Sequence, residues 1–286
     1  MAAKDLRVPY GRRIRLRDFS PGATPGYRSK DEAQERLSKG LSRLRELQGV
    51  LYAEHRWAVL IILQAMDAAG KDSTISHVMS GLNPQGCHVH SFKTPSSREL
   101  DHDFLWRVQP VLPERGSISV FNRSYYEEVL IVRVHPEFLE KQNLPWELVT
   151  PEIWKERFED INCFEQHLAR SGVVVLKFFL HVSKEVQRQR FLARLEEPHK
   201  HWKFTPSDVQ ERAYWGKYIR AYEDLLSKTS TKEAPWYVIP ADHKWFTRLS
   251  VTNAIVERLE ELDLSYPKLT KERKRELATA RKLLGS

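Results

Sequence analysis

The segment that most limits what this chain can become runs from Trp57 to Ile75. Trp57-Ala58-Val59-Leu60-Ile61-Ile62-Leu63 is an unbroken apolar run, the pattern of a strand buried on both faces in a parallel sheet. Ala65-Met66-Asp67-Ala68-Ala69-Gly70-Lys71 follows, and Ile75, Val78, Met79 and Leu82 then recur at helical spacing. Strand, small-residue loop and helix together are the setting of a phosphate-cradling P-loop. In such a loop main-chain N–H groups and a helix N-terminus face the anion, and a lysine reaches its outer oxygens. In the register G-x-x-x-x-G-K-[ST], Ala65 replaces the first glycine and Asp72 the hydroxyl, with Ser73 and Thr74 just beyond. Asp67 puts a negative charge where phosphate would sit, which makes sense if it holds a Mg²⁺ that bridges phosphates. The plainer alternative is an ordinary strand–turn–helix, with Asp67 in the turn and Lys71 solvated.

The remaining chain supplies partners for that strand. Residues 1–28 are basic and irregular, with Arg12, Arg13, Arg15 and Arg17 close together, and read as an arm packed as an extension outside the chemistry. Ala33, Leu37, Leu41, Leu44, Leu47 and Leu51 form one stripe of a helix starting at Ser29. Asn83-Pro84-Gln85-Gly86 is a turn before a second strand, Cys87 to Phe92. His88 and His90 share one side of that strand, but no third metal ligand lies nearby. Ser96-x-x-Glu99 is a capping box, after which Leu100, Phe104, Leu105 and Val108 suggest a helix ended by Pro110. Ser117 to Ser124 is a third strand, and Asn122 and Arg123 fall at its C-terminal end, where open parallel sheets bind ligands. Thr150-Pro151 starts a long helix, and Val173 to Leu180 is a fourth strand.

Lys184 to Trp215 is dense in cations, among them Arg188, Arg190, Arg194, Lys200, Lys203 and Arg212. A cationic helix–loop–helix after a late strand suits a lid that closes over phosphates. Thr205-Pro206 opens its second helix, with Trp215, Ile219, Tyr222 and Leu226 apolar. Trp236 to Pro240 is a fifth strand with Asp242-His243-Lys244 at its rim, a last long helix follows, and the tail from Ser265 reads as basic and frayed. The expected architecture is α/β: a P-loop kinase-like three-layer α/β/α fold with a parallel five-stranded sheet. It forms a single domain over 1–286, with an arm over about 1–28 and an inserted lid over about 184–226.

Composition bounds the setting. At 286 residues and 41% apolar the chain can bury one large core. No run reaches the roughly 18 apolar residues needed to span a bilayer, and no apolar leader is present, so a cytoplasmic protein without membrane contact is expected. Two cysteines, Cys87 and Cys163, suggest neither a disulfide framework nor a zinc site. The net charge of +8 reads either as a basic surface for solubility or as a match for a polyanionic partner such as nucleotide, polyphosphate or nucleic acid, and composition does not choose among these.

Several separated motifs narrow that choice. Met66-Asp67-Ala68-Ala69-Gly70-Lys71-Asp72, Leu82-Asn83-Pro84-Gln85-Gly86, Phe121-Asn122-Arg123-Ser124-Tyr125-Tyr126-Glu127-Glu128-Val129-Leu130, Lys177-Phe178-Phe179-Leu180-His181 and Ala234-Pro235-Trp236-Tyr237-Val238-Ile239-Pro240-Ala241 stand in that order. Together they resemble the type-2 polyphosphate kinases, and most of all their class III, over roughly residues 10 to 265. The resemblance implies Mg²⁺-dependent phosphoryl transfer between inorganic polyphosphate and the purine nucleotides AMP, ADP and ATP by a homo-oligomer. It implies that Asp67 holds the metal, that Lys71 and Arg123 act on the transferred phosphate, and that Glu128 orients or deprotonates the acceptor. Ala68, Ala69, Gly70, Asp72, Ser73, Thr74, Asn83, Asn122, Arg188 and Lys203 are the implied nucleotide- and phosphate-binding residues. Asn122 stands where other classes have aspartate, and Glu127-Glu128 replaces the Glu-Asp more usual in class III. An ATP-dependent nucleotide monophosphate kinase of the thymidylate type shares the fold and loop. A nucleic-acid-binding module would need aromatics interleaved with cations, which only Trp202-Lys203-Phe204 offers.

Overall fold

The computed structural model describes residues 3–285. Its helices and strands, in chain order, are α1 (Lys30–Glu54), β1 (Ala58–Ala65), α2 (Lys71–Val78), β2 (Cys87–Ser91), α3 (Ser97–Leu100), β3 (Ile118–Asn122), α4 (Ile131–Val134), α5 (Glu137–Glu140), α6 (Ile153–Arg170), β4 (Val173–His181), α7 (Lys184–Glu196), α8 (Pro206–Glu211), α9 (Trp215–Thr229), β5 (Trp236–Pro240), α10 (Lys244–Glu260) and α11 (Lys271–Leu283). The strands form one sheet in the order β2-β3-β1-β4-β5, and every pair is parallel. All eight residues of β1 are buried, which explains its continuous apolar sequence: helices cover both faces. α1, α2 and α10 pack together on one face, and α6 and α9 cover the other. Parallel strands place all five C-terminal ends along one edge, and the β1–α2 loop opens there beside the end of β3, since Leu63 pairs with Asn122.

The arm is a packed extension. Arg7 bridges antiparallel to Tyr237, the Val8 N–H donates to the Trp236 carbonyl at 2.8 Å, and Leu6, Val8, Ile14 and Leu16 are buried.

Four local expectations are corrected. The capping box at Ser96 and Glu99 forms, but its helix stops at Leu100; residues 106–111 make a separate 3-10 turn with Pro110 inside it, not after it. The helix expected from Pro151 starts at Ile153, while the Thr150 hydroxyl accepts from the Glu152 N–H. The second lid helix is broken into α8, a 3-10 turn and α9, and α9 buries Tyr222, Leu225 and Leu226 in the main core. The tail is helical: Thr270 caps α11, which buries none of its residues.

Candidate functional site at the edge of the sheet

The β1–α2 loop is held in a conformation that most side chains avoid. Gly70 has φ of 105°, and Ala68 has φ of 57°, unusual for a residue with a Cβ. Arg123, at the end of β3, has φ of 64°. Such backbone costs on the order of 1–3 kcal/mol per residue, so surrounding contacts must enforce it. Two residues of α7 do so. Arg190 donates Nη1 to the carbonyls of Ala68 and Ala69 at 3.0 and 2.8 Å, and Nη2 to those of Ala241 and Asp242 at 2.7 and 3.0 Å. Gln187 donates to the Asp67 carbonyl at 2.9 Å and is itself held by Arg212 at 2.7 Å.

Within the loop Lys71 folds back to donate to the Ala65 carbonyl at 3.0 Å, and the Ser73 hydroxyl donates to the Gly70 carbonyl at 3.0 Å. Thr74 is buried as the first turn of α2 closes onto Gly70. Asn122 joins the ends of three elements, donating to Asp72 at 2.7 Å and to Ser91 at 3.4 Å. Arg123 Nη2 reaches Asp67 Oδ1 at 3.5 Å.

Asp67, Lys71, Arg123 and Glu127 share one electrostatic neighbourhood, with Tyr218 and Tyr222 of α9 on its wall. Burial lowers the Lys71 pKa, and Arg123 lowers it further, against Asp67, Glu127 and Asp72. The Arg123 pKa is raised, first by Glu127 and, against its own burial, also by Asp67. Burial chiefly pushes both tyrosines up, and Glu127 and Asp67 add to the effect.

Two residues expected at the site lie elsewhere, and a third is engaged on its own helix. Glu128 turns inward: it is buried, pairs with Arg157 at 3.2 Å and accepts from Gln142 at 2.8 Å, so Glu127 is the carboxylate of that pair facing Lys71 and Arg123. The 3-10 turn over Tyr125–Val129 sends consecutive side chains in different directions. Asn83 precedes β2 at the opposite edge of the sheet, where its side chain caps a 3-10 turn and its main chain is bridged to Gln48 of α1. Arg188 is exposed and paired with Glu185 on its own helix.

Lys203 stacks over Trp202 at 4.9 Å and belongs to a larger group. After burial, the Lys244 pKa is lowered in turn by Arg190, Lys200, Arg248 and Lys203; Glu197, paired with Lys200, and Asp242, beside Arg190, are the carboxylates among them. Arg248 Nε is buried without a hydrogen-bond partner. Five cations from α7, the following turn and α10 thus share one electrostatic neighbourhood beside the loop that Arg190 grips. Lys244 was visible in the sequence at the rim of β5; nothing in the spacing marks Arg248. Among the described residues, no group of three or more His, Cys, Asp or Glu could hold a metal by itself. Asp67 is the acidic side chain of the β1–α2 loop, and it faces Arg123.

The family model described as Polyphosphate kinase 2 matches residues 27–267. An ADP-polyphosphate phosphotransferase from Rhodopseudomonas palustris is 52% identical over 282 residues, 98% of each chain. An AMP/ADP-polyphosphate phosphotransferase from Meiothermus ruber is 44% identical, over 92% of this chain and 95% of its own. The crystal structure of Polyphosphate Kinase 2 from Arthrobacter aurescens TC1 superposes with a TM-score of 0.88 at 38% identity, over 98% of this chain and 97% of that one.

Proposed function

Because the chain belongs to the Polyphosphate kinase 2 family, we propose that it moves phosphoryl groups between inorganic polyphosphate and nucleotides, converting AMP to ADP and ADP to ATP or the reverse. The observation that carries this reading is the cation group around Lys244. A phosphate chain bears charge on nearly every unit, and a cluster of lysines and arginines that outnumbers its carboxylates beside a phosphate-cradling loop complements it along its length. A nucleotide donor would leave most of those cations unused.

Phosphoryl transfer depends on positioning and on neutralising oxygen charge. Lys71 would leave the Ala65 carbonyl to meet the transferred group, with the loop N–H groups and Arg123 around it. Glu127, not Glu128, takes the acceptor-facing role, since it is the carboxylate coupled to Lys71 and Arg123. Arg190 and Gln187 hold the loop in its strained form, and Asn122 fixes Asp72 and the end of β2. Asp67 would hold a Mg²⁺, which commonly takes one or two carboxylates plus substrate phosphates and would supply charge neutralisation there. Tyr218 and Tyr222 close the wall of the site on the α9 side.

The same proposal includes a cytoplasmic homo-oligomer, for which exposed Trp146, Leu148 and Val149 offer an apolar surface. No helix of the described residues is long and apolar enough to cross a membrane. The test is to supply Mg²⁺ and AMP or ADP with either polyphosphate or ATP as donor, then separate the nucleotides. Product from polyphosphate with both acceptors is expected. Transfer from ATP alone would make the chain a nucleotide monophosphate kinase, and retention of nucleic acid unaffected by polyphosphate would make it a binding module.

A further inference from the structure

We propose that Arg13, Arg15 and Arg17 of the N-terminal arm form a distal subsite for the part of a polyphosphate chain that extends beyond the Lys244 group. This rests on the reading of that group as the proximal site.

The arm is built to present these cations. From Arg13 to Arg17 exposed arginines alternate with buried Ile14 and Leu16. The Ile14 N–H donates to Ser227 Oγ at 3.0 Å and the Leu16 N–H to Glu223 Oε1 at 2.8 Å, both on α9. Their main chain is therefore fixed, and Arg13 and Arg15, on extended backbone, stand about 7 Å apart on one side. Arg12, Arg13 and Arg15 make no ion pair or side-chain hydrogen bond among the described residues. Arg17 makes only a long contact with its neighbour Asp18, 3.9 Å between two exposed groups. The nearest acid on α9, Glu223, has one oxygen engaged by the Leu16 N–H. Cations held without partners on a fixed backbone raise the local potential and lose little freedom when an anion arrives.

The arm then runs to the catalytic edge. The Pro21 carbonyl accepts the Asp242 N–H at 3.1 Å, and a Cβ at Gly22 would come within 3.6 Å of Asp242 Oδ2. Asp242 is two residues before Lys244, and its carbonyl is one of those held by Arg190. Arg17 is four residues from Pro21, within about 14 Å even for fully extended chain. The exposed arginines and the Lys244 group thus lie along one continuous path. A nucleotide engaged at the P-loop does not reach the arm; a long phosphate chain does. Donor length is the property such a subsite reads.

The experiment compares wild type with the triple variants Arg13→Ser/Arg15→Ser/Arg17→Ser and Arg13→Lys/Arg15→Lys/Arg17→Lys. Apparent KM is measured for long-chain polyphosphate, for a short oligophosphate and for ADP. Removing three phosphate contacts should raise the long-chain KM by about 10-fold or more at moderate salt. The short-donor and ADP values should stay within about twofold, and the lysine variant should recover most of the loss, since a point charge suffices for a phosphate. An unchanged long-chain KM, or an equal rise for both donor lengths, overturns the distal subsite while leaving polyphosphate transfer intact. Wild-type protein that uses neither donor length overturns the underlying reading instead.

Discussion

Glu165 Oε2 lies 2.5 Å from Lys177 Nζ in the dry interior between β4 and α6. The other oxygen of Glu165 accepts from both Tyr125 and Tyr126 hydroxyls at 2.8 Å, and Lys177 also donates to Tyr126 at 2.9 Å and to the Thr229 carbonyl at 2.7 Å. Those tyrosines begin the turn that delivers Glu127 to the site. A fully paired ionic network therefore anchors the turn that carries Glu127 from behind.

Removing one partner of a buried pair strands the other. Glu165→Gln should cost about 3–5 kcal/mol in urea unfolding. Glu165→Gln combined with Lys177→Met should cost less than the two single changes added together. Additive losses, or a single-variant loss under about 1 kcal/mol, would mean that the pair does not carry the turn.

Lys71→Ala should leave the unfolding midpoint nearly unchanged, because its side chain makes a single hydrogen bond, to the carbonyl of Ala65 at the end of β1. kcat should fall by about 10²–10³, the typical cost of one preorganised contact to developing charge. A folded variant turning over at the wild-type rate would refute the P-loop assignment.

The two adjacent glutamates should separate cleanly. Glu127→Gln should lower kcat by about 10²-fold or more with little change in stability. Glu128→Ala should leave Gln142 without its acceptor and Arg157 with only its longer contact to Asp160, at about 1–3 kcal/mol of stability, with kcat within a few-fold. The opposite pattern would restore Glu128 to the acceptor.

Sequence alone carried the sheet a long way. Strands buried on both faces write continuous apolar runs, so β1 and β4 were plain, and the small-residue loop after β1 fixed the edge used for chemistry. Glu127 and Glu128 were not separable in the same way, because both stand in a 3-10 turn whose side-chain directions depend on what the buried tyrosines grip. Arg190 was visible only as one cation among many. Its role lies in carbonyls of two loops distant in sequence, and main-chain acceptors leave no mark in residue type. The helix α11 was missed because a solvated basic helix has no apolar stripe to announce it.

That dual grip makes Arg190→Lys a sharp test of loop positioning. An ammonium cannot span four carbonyls as a planar guanidinium does. kcat should drop by up to about 10²-fold, the loss associated with small misplacement of reacting groups, while the KM for ADP changes less. Unaltered kcat would show that the strained loop holds its form without α7.

The most direct measurement of the central claim, that a phosphate chain rather than a nucleotide lies on the cations around Lys244, is the salt dependence of the two substrates. Multi-site ionic contacts release counterions and weaken steeply as salt rises. With free Mg²⁺ held constant, the apparent KM for long polyphosphate should climb faster with ionic strength than that for ADP. Lys244→Glu or Lys203→Glu should flatten the polyphosphate slope and leave the ADP slope nearly alone. Parallel slopes in the wild type, or a polyphosphate slope indifferent to both charge reversals, would contradict the claim.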